Sequence, residues 1–222
     1  MDNIEKIKKF VNQNLSKTGN IFDNFMHEFE LCIETPHNMQ ELKQKYDKKY
    51  IGDLFEAFCY LYIKNILQHD NVWFYKDFPL NLKNELNLTK NDYGIDLVSQ
   101  KNNEYYAIQC KYRKKQNKIQ LISWKSLSTF YALTSRSGPW KKYIVMTNIN
   151  GCRHIGKKND KDLSICIKTF QNMSSFDWLK LAGDNNINVF VSNNEKLDNK
   201  NLPLNELQVF TREQRLKYYS EI

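Results

Sequence analysis

No apolar run in the 222 residues approaches the length needed to span a bilayer. The opening Met-Asp-Asn-Ile-Glu-Lys also lacks the basic-then-apolar plan of a signal peptide. Both absences lead to the expectation of a soluble, intracellular protein. Cysteine is sparse: Cys32, Cys59, Cys110, Cys152 and Cys166 are odd in number and widely scattered, and no Cys-x-x-Cys pair occurs. Reduced, structural thiols are therefore expected in place of a disulfide framework. Cys152, Arg153 and His154 with the distant Cys166 match no standard zinc spacing. Internal repeats and low-complexity linkers are absent too, which suits one domain with appended segments.

What is present argues for a packed core. Hydrophobic residues make up 41% and aromatics 14% of the chain, too much for a disordered one. The net charge of +8 favours a polyanionic partner such as nucleic acid, although a Lys- and Asn-rich composition produces such a charge without function.

Along the chain, residues 3 to about 48 read as helical, with apolar residues at helical spacing (Ile4, Ile7, Phe10, Val11, then Phe22, Phe25, Met26, Phe29). Gly19 separates the first piece from the second, and Pro36 the second from a charged third piece around Glu41 to Lys49. These helices form either a cap on the core or a DNA-contacting arm. Tyr50 to Leu67 is the most apolar helix, expected to be largely buried, and it carries Glu56. A carboxylate there is costly unless paired or bound to a metal, or unless it lies on the thin polar stripe with Asp53 and Lys64. Gly52 suggests close approach of another backbone. A strand is expected over 71–76, a polar loop over 81–91, a helix from about Ser123 to Ser135 stopped by Gly138-Pro139, and a buried strand from Tyr143 to Met146. After a basic loop (Arg153, His154, Lys157, Lys158) come a strand over Leu163–Ile167 and a helix capped by Ser174 and ended by Gly183. A last strand follows over Asn188–Val191, then an amphipathic helix from Leu204.

The most informative stretch runs from Asp92 to Arg113. It reads as two strands joined at Asn102-Asn103, since Asn tolerates the positive φ that a two-residue turn needs. Counting back from that turn, Lys101 faces Glu104, Asp96 faces Gln109, and Gly94 faces Lys111. Opposed side chains share a face with Cβ atoms about 5 Å apart, and Gln109 and Lys111 share a face by strand alternation. A carboxylate, an amide and an ammonium thus converge, while Ile95, Leu97, Ile108 and Cys110 are expected to point the other way. A divalent cation and a phosphate would satisfy the polar trio. An ordinary hairpin with a surface Asp–Lys pair is the plainer alternative.

Glu56 on a buried helix, then Gly94-Ile95-Asp96, then Gln109-Cys110-Lys111 on the next strand, resembles the PD-(D/E)xK, or restriction endonuclease-like, nuclease superfamily. The resemblance is to the branch with Gln-x-Lys, as in Mrr-like restriction endonucleases, and covers roughly residues 50–192. It implies an α/β fold: a restriction endonuclease-like sandwich with a central mixed sheet flanked by helices. On that reading residues 1–48 are a helical N-terminal extension, 49–192 the nuclease-like core, and 193–222 a C-terminal tail with an amphipathic helix.

The resemblance further implies a metal-dependent DNA endonuclease that hydrolyses phosphodiester bonds. Asp96 would be the main ligand of Mg²⁺ (Mn²⁺ substituting), with the Gln109 amide, the Cys110 backbone carbonyl and Glu56 completing the shell. Lys111 would orient the attacking water and offset charge on the phosphoryl oxygens. Gly94 would let backbone or substrate approach closely. The basic run after the hairpin (Arg113, Lys114, Lys115 and Lys118), from its place beside the site, is expected to contact phosphates, a solvated loop being the alternative. No acidic residue occupies position 109, which removes one negative charge from the site. The expected partner is double-stranded or branched DNA, not a membrane, and a homodimer follows from the resemblance alone. The other reading is a non-catalytic nucleic-acid-binding module on the same fold. No helicase, methyltransferase or target-recognition segment accompanies the motifs.

Overall fold

The computed structural model describes residues 3–34, 48–91, 94–153 and 159–183. The strand expected at 188–191, the helix from Leu204, most of the third helical piece, and His154, Lys157 and Lys158 lie outside these residues.

Helices α1 (Asn3–Asn14) and α2 (Ile21–Glu34) precede α3 (Lys48–Leu61), which continues into a single π-turn over Tyr62–Ile66. Strand β1 (Asn71–Phe74) and a short helix α4 (Leu80–Glu85) lead to the hairpin β2 (Leu97–Lys101) and β3 (Glu104–Lys111). A 3-10 turn over Trp124–Leu127 opens into α5 (Ser128–Thr134), followed by β4 (Lys142–Thr147) and β5 (Asp162–Ile165). Helices α6 (Ile167–Gln171) and α7 (Ser175–Ala182) end the described part.

The five strands form one sheet in sequential order. The β1–β2 and β2–β3 pairs are antiparallel, β3–β4 and β4–β5 parallel. This is the mixed sheet expected. Each face is covered because strand side chains alternate. Leu97, Ile108, Cys110, Ile144 and Met146 pack under α1, α2, α3 and α7 in one core. Val98, Ala107 and Val145 join Phe130, Leu127 and Trp140 in the other. Phe22 and Phe25 of α2 are buried in the first core, with rings 6.0 and 5.3 Å from Phe58 of α3.

Three details depart from the sequence-based expectation. Residues 80–85 are helical instead of loop, because Leu82 and Leu86 give that polar stretch one apolar face against Tyr75 and Phe78. Ile167 starts α6 and does not extend β5. Among the described residues nothing lies within 4 Å of the Cβ direction of Gly52, so none of their backbone packs there. The cap of α7 is as expected: Ser174 and Asp177 form a reciprocal capping box, and Gly183 closes the helix at φ 77°.

Buried His69, two residues before β1, makes the fold acid-sensitive. Its Nδ1 lies 2.8 Å from Ser99 Oγ and its ring stands edge-on to Tyr106. Burial, helped by the Lys101 charge, lowers its pKa from 6.5 to about 4. The unfolded chain therefore binds a proton that the fold refuses. The resulting stability is full above pH 6.5 and is lost as pH falls towards 4, roughly 3 kcal/mol in all. Urea midpoints measured between pH 7 and 4.5 should fall for the wild type and fall less for His69→Gln. An equal fall in both proteins would show that His69 does not drive it.

Candidate active site

Asn102 and Asn103 both take positive φ (51° and 63°), the type I′ geometry that matches strand twist. The turn sets the register as counted from sequence: Lys101 pairs with Glu104 and Leu97 with Ile108. There the ladder ends. The Asp96 N–H donates to the Ile108 carbonyl at 2.9 Å, and its own carbonyl accepts from the Tyr75 N–H at 2.9 Å. This local irregularity overturns the expected face assignment. Ile95 enters the core on the α5 side, whereas Leu97, Ile108 and Cys110 enter the core under α3.

The close approach at Gly94 is made by α5. At φ 123°, an added Cβ would lie 3.0 Å from the Phe130 nitrogen and from Thr129 Oγ1. Glycine thus lets the helix press against the chain two residues before Asp96.

The Asp96 carboxylate is held from the next strand. Its Oδ2 accepts from the Gln109 side-chain amide nitrogen and, at 2.6 Å, from the Cys110 backbone N–H. Gln109 is only 1% exposed, so it is a fixed donor with no freedom to turn away. Its amide nitrogen, not its oxygen, faces Asp96.

Glu56 reaches the same place from α3. Glu56 and Asp96 line one cleft of about 280 Å³ together with Asp53, Lys49, Lys76, Asn3, Phe74 and Tyr75. The cleft lies where β1 ends and β2 begins, beside the C-terminal end of β3. Cys59 of α3 and Cys110 of β3 are buried partners, close enough to Glu56 and Asp96 to feel their charges. Burial pushes both thiols up, and the charges of Glu56 and Asp96 add to this. These cysteines therefore stay protonated and serve as packing groups, not as nucleophiles.

Lys111 is half-buried at the end of β3 and is not among the residues lining the cleft. None of the ion pairs among the described residues involves it. Its backbone is fixed: Thr147 Oγ1 donates to the Lys111 carbonyl at 2.7 Å, and the Asn148 side chain both accepts from and donates to the backbone of Arg113. Helix α2 braces the same exit, since the Tyr112 hydroxyl donates to Glu30 at 2.9 Å. Burial and Glu30 push the Tyr112 phenol up, keeping it a donor. Arg113, Lys114, Lys115 and Lys118 are exposed on the segment that follows, with Lys115 paired to Asp23 at 3.4 Å.

Asp53, Lys49 and Lys76 carried no site role in the sequence reading. The spacing of Asp53 and Glu56, three apart on one helix, was the available signal. Nothing local singles out Lys49 or Lys76. Among the described residues no three His, Cys, Asp or Glu side chains are grouped closely enough to hold an ion.

A protein-family model described as restriction endonuclease matches residues 64–188. The match contains Asp96, Gln109 and Lys111 and begins after Glu56. No curated protein and no solved structure matches the chain. With the matched span covering more than half of its length, and with the mixed sheet that the match calls for, the chain belongs to the Mrr-like restriction endonuclease family.

Proposed function

We propose that the chain is a divalent-metal-dependent endonuclease hydrolysing phosphodiester bonds in DNA. The observation carrying this reading is the meeting of Glu56 and Asp96, forty positions apart in sequence, in one polar cleft beside the strand of Gln109 and Lys111. The cleft gathers the carboxylates of Glu56, Asp96 and Asp53 beside the ammonium groups of Lys49 and Lys76, and a divalent cation would bind to the carboxylate oxygens there.

The donor set fits a hard cation. Glu56 and Asp96 offer carboxylate oxygens, and Cys110 offers a backbone carbonyl. Mg²⁺ commonly takes one or two carboxylates and completes its shell with water and substrate phosphate, a demand that Glu56 and Asp96 can meet. Mn²⁺ accepts the same donors. The bound ion would supply charge stabilisation and an acidified water.

The chain's own residues do the rest. Gln109 and the Cys110 N–H fix the Asp96 carboxylate so that no reorientation is needed during reaction. Lys111, on a backbone locked by Thr147, orients water and offsets charge on the phosphoryl oxygens. Arg113, Lys114 and Lys118 hold flanking phosphates, and Gly94 seats the segment leading to Asp96. Cutting both strands in one encounter would call for a homodimer.

Incubating the purified protein with supercoiled, linear, branched and single-stranded DNA, with Mg²⁺ or Mn²⁺ and with chelator, tests the reading directly. Cleavage is expected only with metal. Lys111→Ala should lower it by about 10²–10³-fold, as for removal of one transition-state stabiliser, while DNA binding changes little. Binding without cleavage under either metal would select the non-catalytic module instead.

A further inference from the structure

The segment leaving β3 combines charge, order and an unburied apolar tip. Arg113, Lys114, Lys115 and Lys118 are all exposed. Ile119 is 80% exposed, the most exposed large hydrophobic side chain among the described residues, and Leu121 and Trp124 beyond it are 44% and 42% exposed. The segment is nonetheless well tied. Gln120 Nε2 donates to the Lys114 carbonyl at 3.2 Å, and its Oε1 accepts from the Gln116 N–H at 3.1 Å. The Gln120 backbone exchanges bonds with Asn150, accepting from its N–H at 3.1 Å and donating to its Oδ1 at 3.0 Å. Ile122 then pins the base by bonding to Gly151 and Arg153. Gln120 thus closes a small lobe that displays Lys118 and Ile119.

Scattered surface apolar residues need no explanation, but this one differs in its setting. A stapled lobe holds Ile119 out of both cores, among cations, on the segment that starts directly after Lys111. Apolar side chains set among Lys and Arg are how DNA-bending proteins part base steps while phosphates are held on either side. Resting on the DNA reading above, we propose that Ile119 is an apolar wedge that packs against the bases of duplex DNA, with Lys114 and Lys118 on the adjacent phosphates. The charge around the tip favours this polyanionic occupant over an apolar protein surface.

The test uses the full chain without divalent metal, so that DNA is bound but not cut, and duplexes carrying 2-aminopurine at successive positions. Binding of the wild type should raise the fluorescence at one or more steps, reporting unstacking. Ile119→Ala should abolish that rise and weaken binding about tenfold, the scale of one buried aliphatic side chain, without changing the slope of affinity against salt. Ile119→Leu should retain both properties. Lys118→Ala should instead reduce the salt slope by about one. Wild-type affinity and fluorescence in Ile119→Ala would overturn the wedge while leaving the nuclease reading intact. Failure of the wild type to bind any DNA would overturn both.

Discussion

Asp96→Ala and Asp96→Asn are expected to lose metal-dependent cleavage equally, by about 10³-fold or more, and to differ in stability. Activity falls in both because either change removes the carboxylate charge that the proposed cation requires. Stability separates them because Oδ2 of Asp96 is the acceptor for two donors, the Gln109 amide and the Cys110 N–H. Alanine leaves both without a partner, one of them on a side chain 1% exposed. An unsatisfied buried donor costs about 1–3 kcal/mol, with water from the cleft able to recover part of it. Asparagine can keep its oxygen at the Oδ2 position and retain both bonds. The cleft holds Glu56 and Asp53 on one side of the charge balance and Lys49 and Lys76 on the other, so the asparagine variant should be more stable than the alanine variant, the difference being set by the two retained bonds. Urea denaturation beside a cleavage assay reads the two effects separately. An asparagine variant that cuts within about tenfold of wild type would refute the assigned role of Asp96.

The hairpin shows how much of the site a sequence can carry. Register was legible because it is set locally, by two asparagines that accept positive φ and by alternation outward from them. The departure at Ile95 was not legible, because its cause is tertiary. Gly94 yields to the first turn of α5, and the chain leaves the ladder just before Leu97. Gly94 itself was visible as unusual, but the helix pressing on it lies more than thirty residues further along. The α4 helix escaped notice for a related reason. Asn81, Lys83 and Asn84 read as loop until Tyr75 and Phe78 provide a surface for Leu82 and Leu86. Glu56 stood out as a charge within an apolar helix, whereas Asp53, at the wetter end of that helix, did not. Their common cleft exists only once β1 and β2 pack against α3.

Trp178→Ala should produce the largest loss of stability, about 3–5 kcal/mol. The side chain is fully buried, with ring centroids 6.3, 5.6 and 6.0 Å from those of Phe22, Phe25 and Phe58. It therefore joins α7 to α2 and α3 in one aromatic cluster, and truncation leaves a cavity that the three elements cannot close together. Against a typical total of about 5–15 kcal/mol this is a large fraction, worth roughly 6–20 °C in melting temperature for a chain of this size. Far-UV circular dichroism and the fluorescence of the remaining Trp73, Trp124 and Trp140 should report one transition, shifted together. Trp178 is not among the residues lining the cleft, so cleavage measured well below the new midpoint should stay near that of the wild type. Two separated transitions would instead mean that α1 and α2 melt independently of the sheet. In that case the brace that Glu30 and Asp23 of α2 give to Tyr112 and Lys115 could be lost while the sheet persists, and cleavage would fall with the first transition.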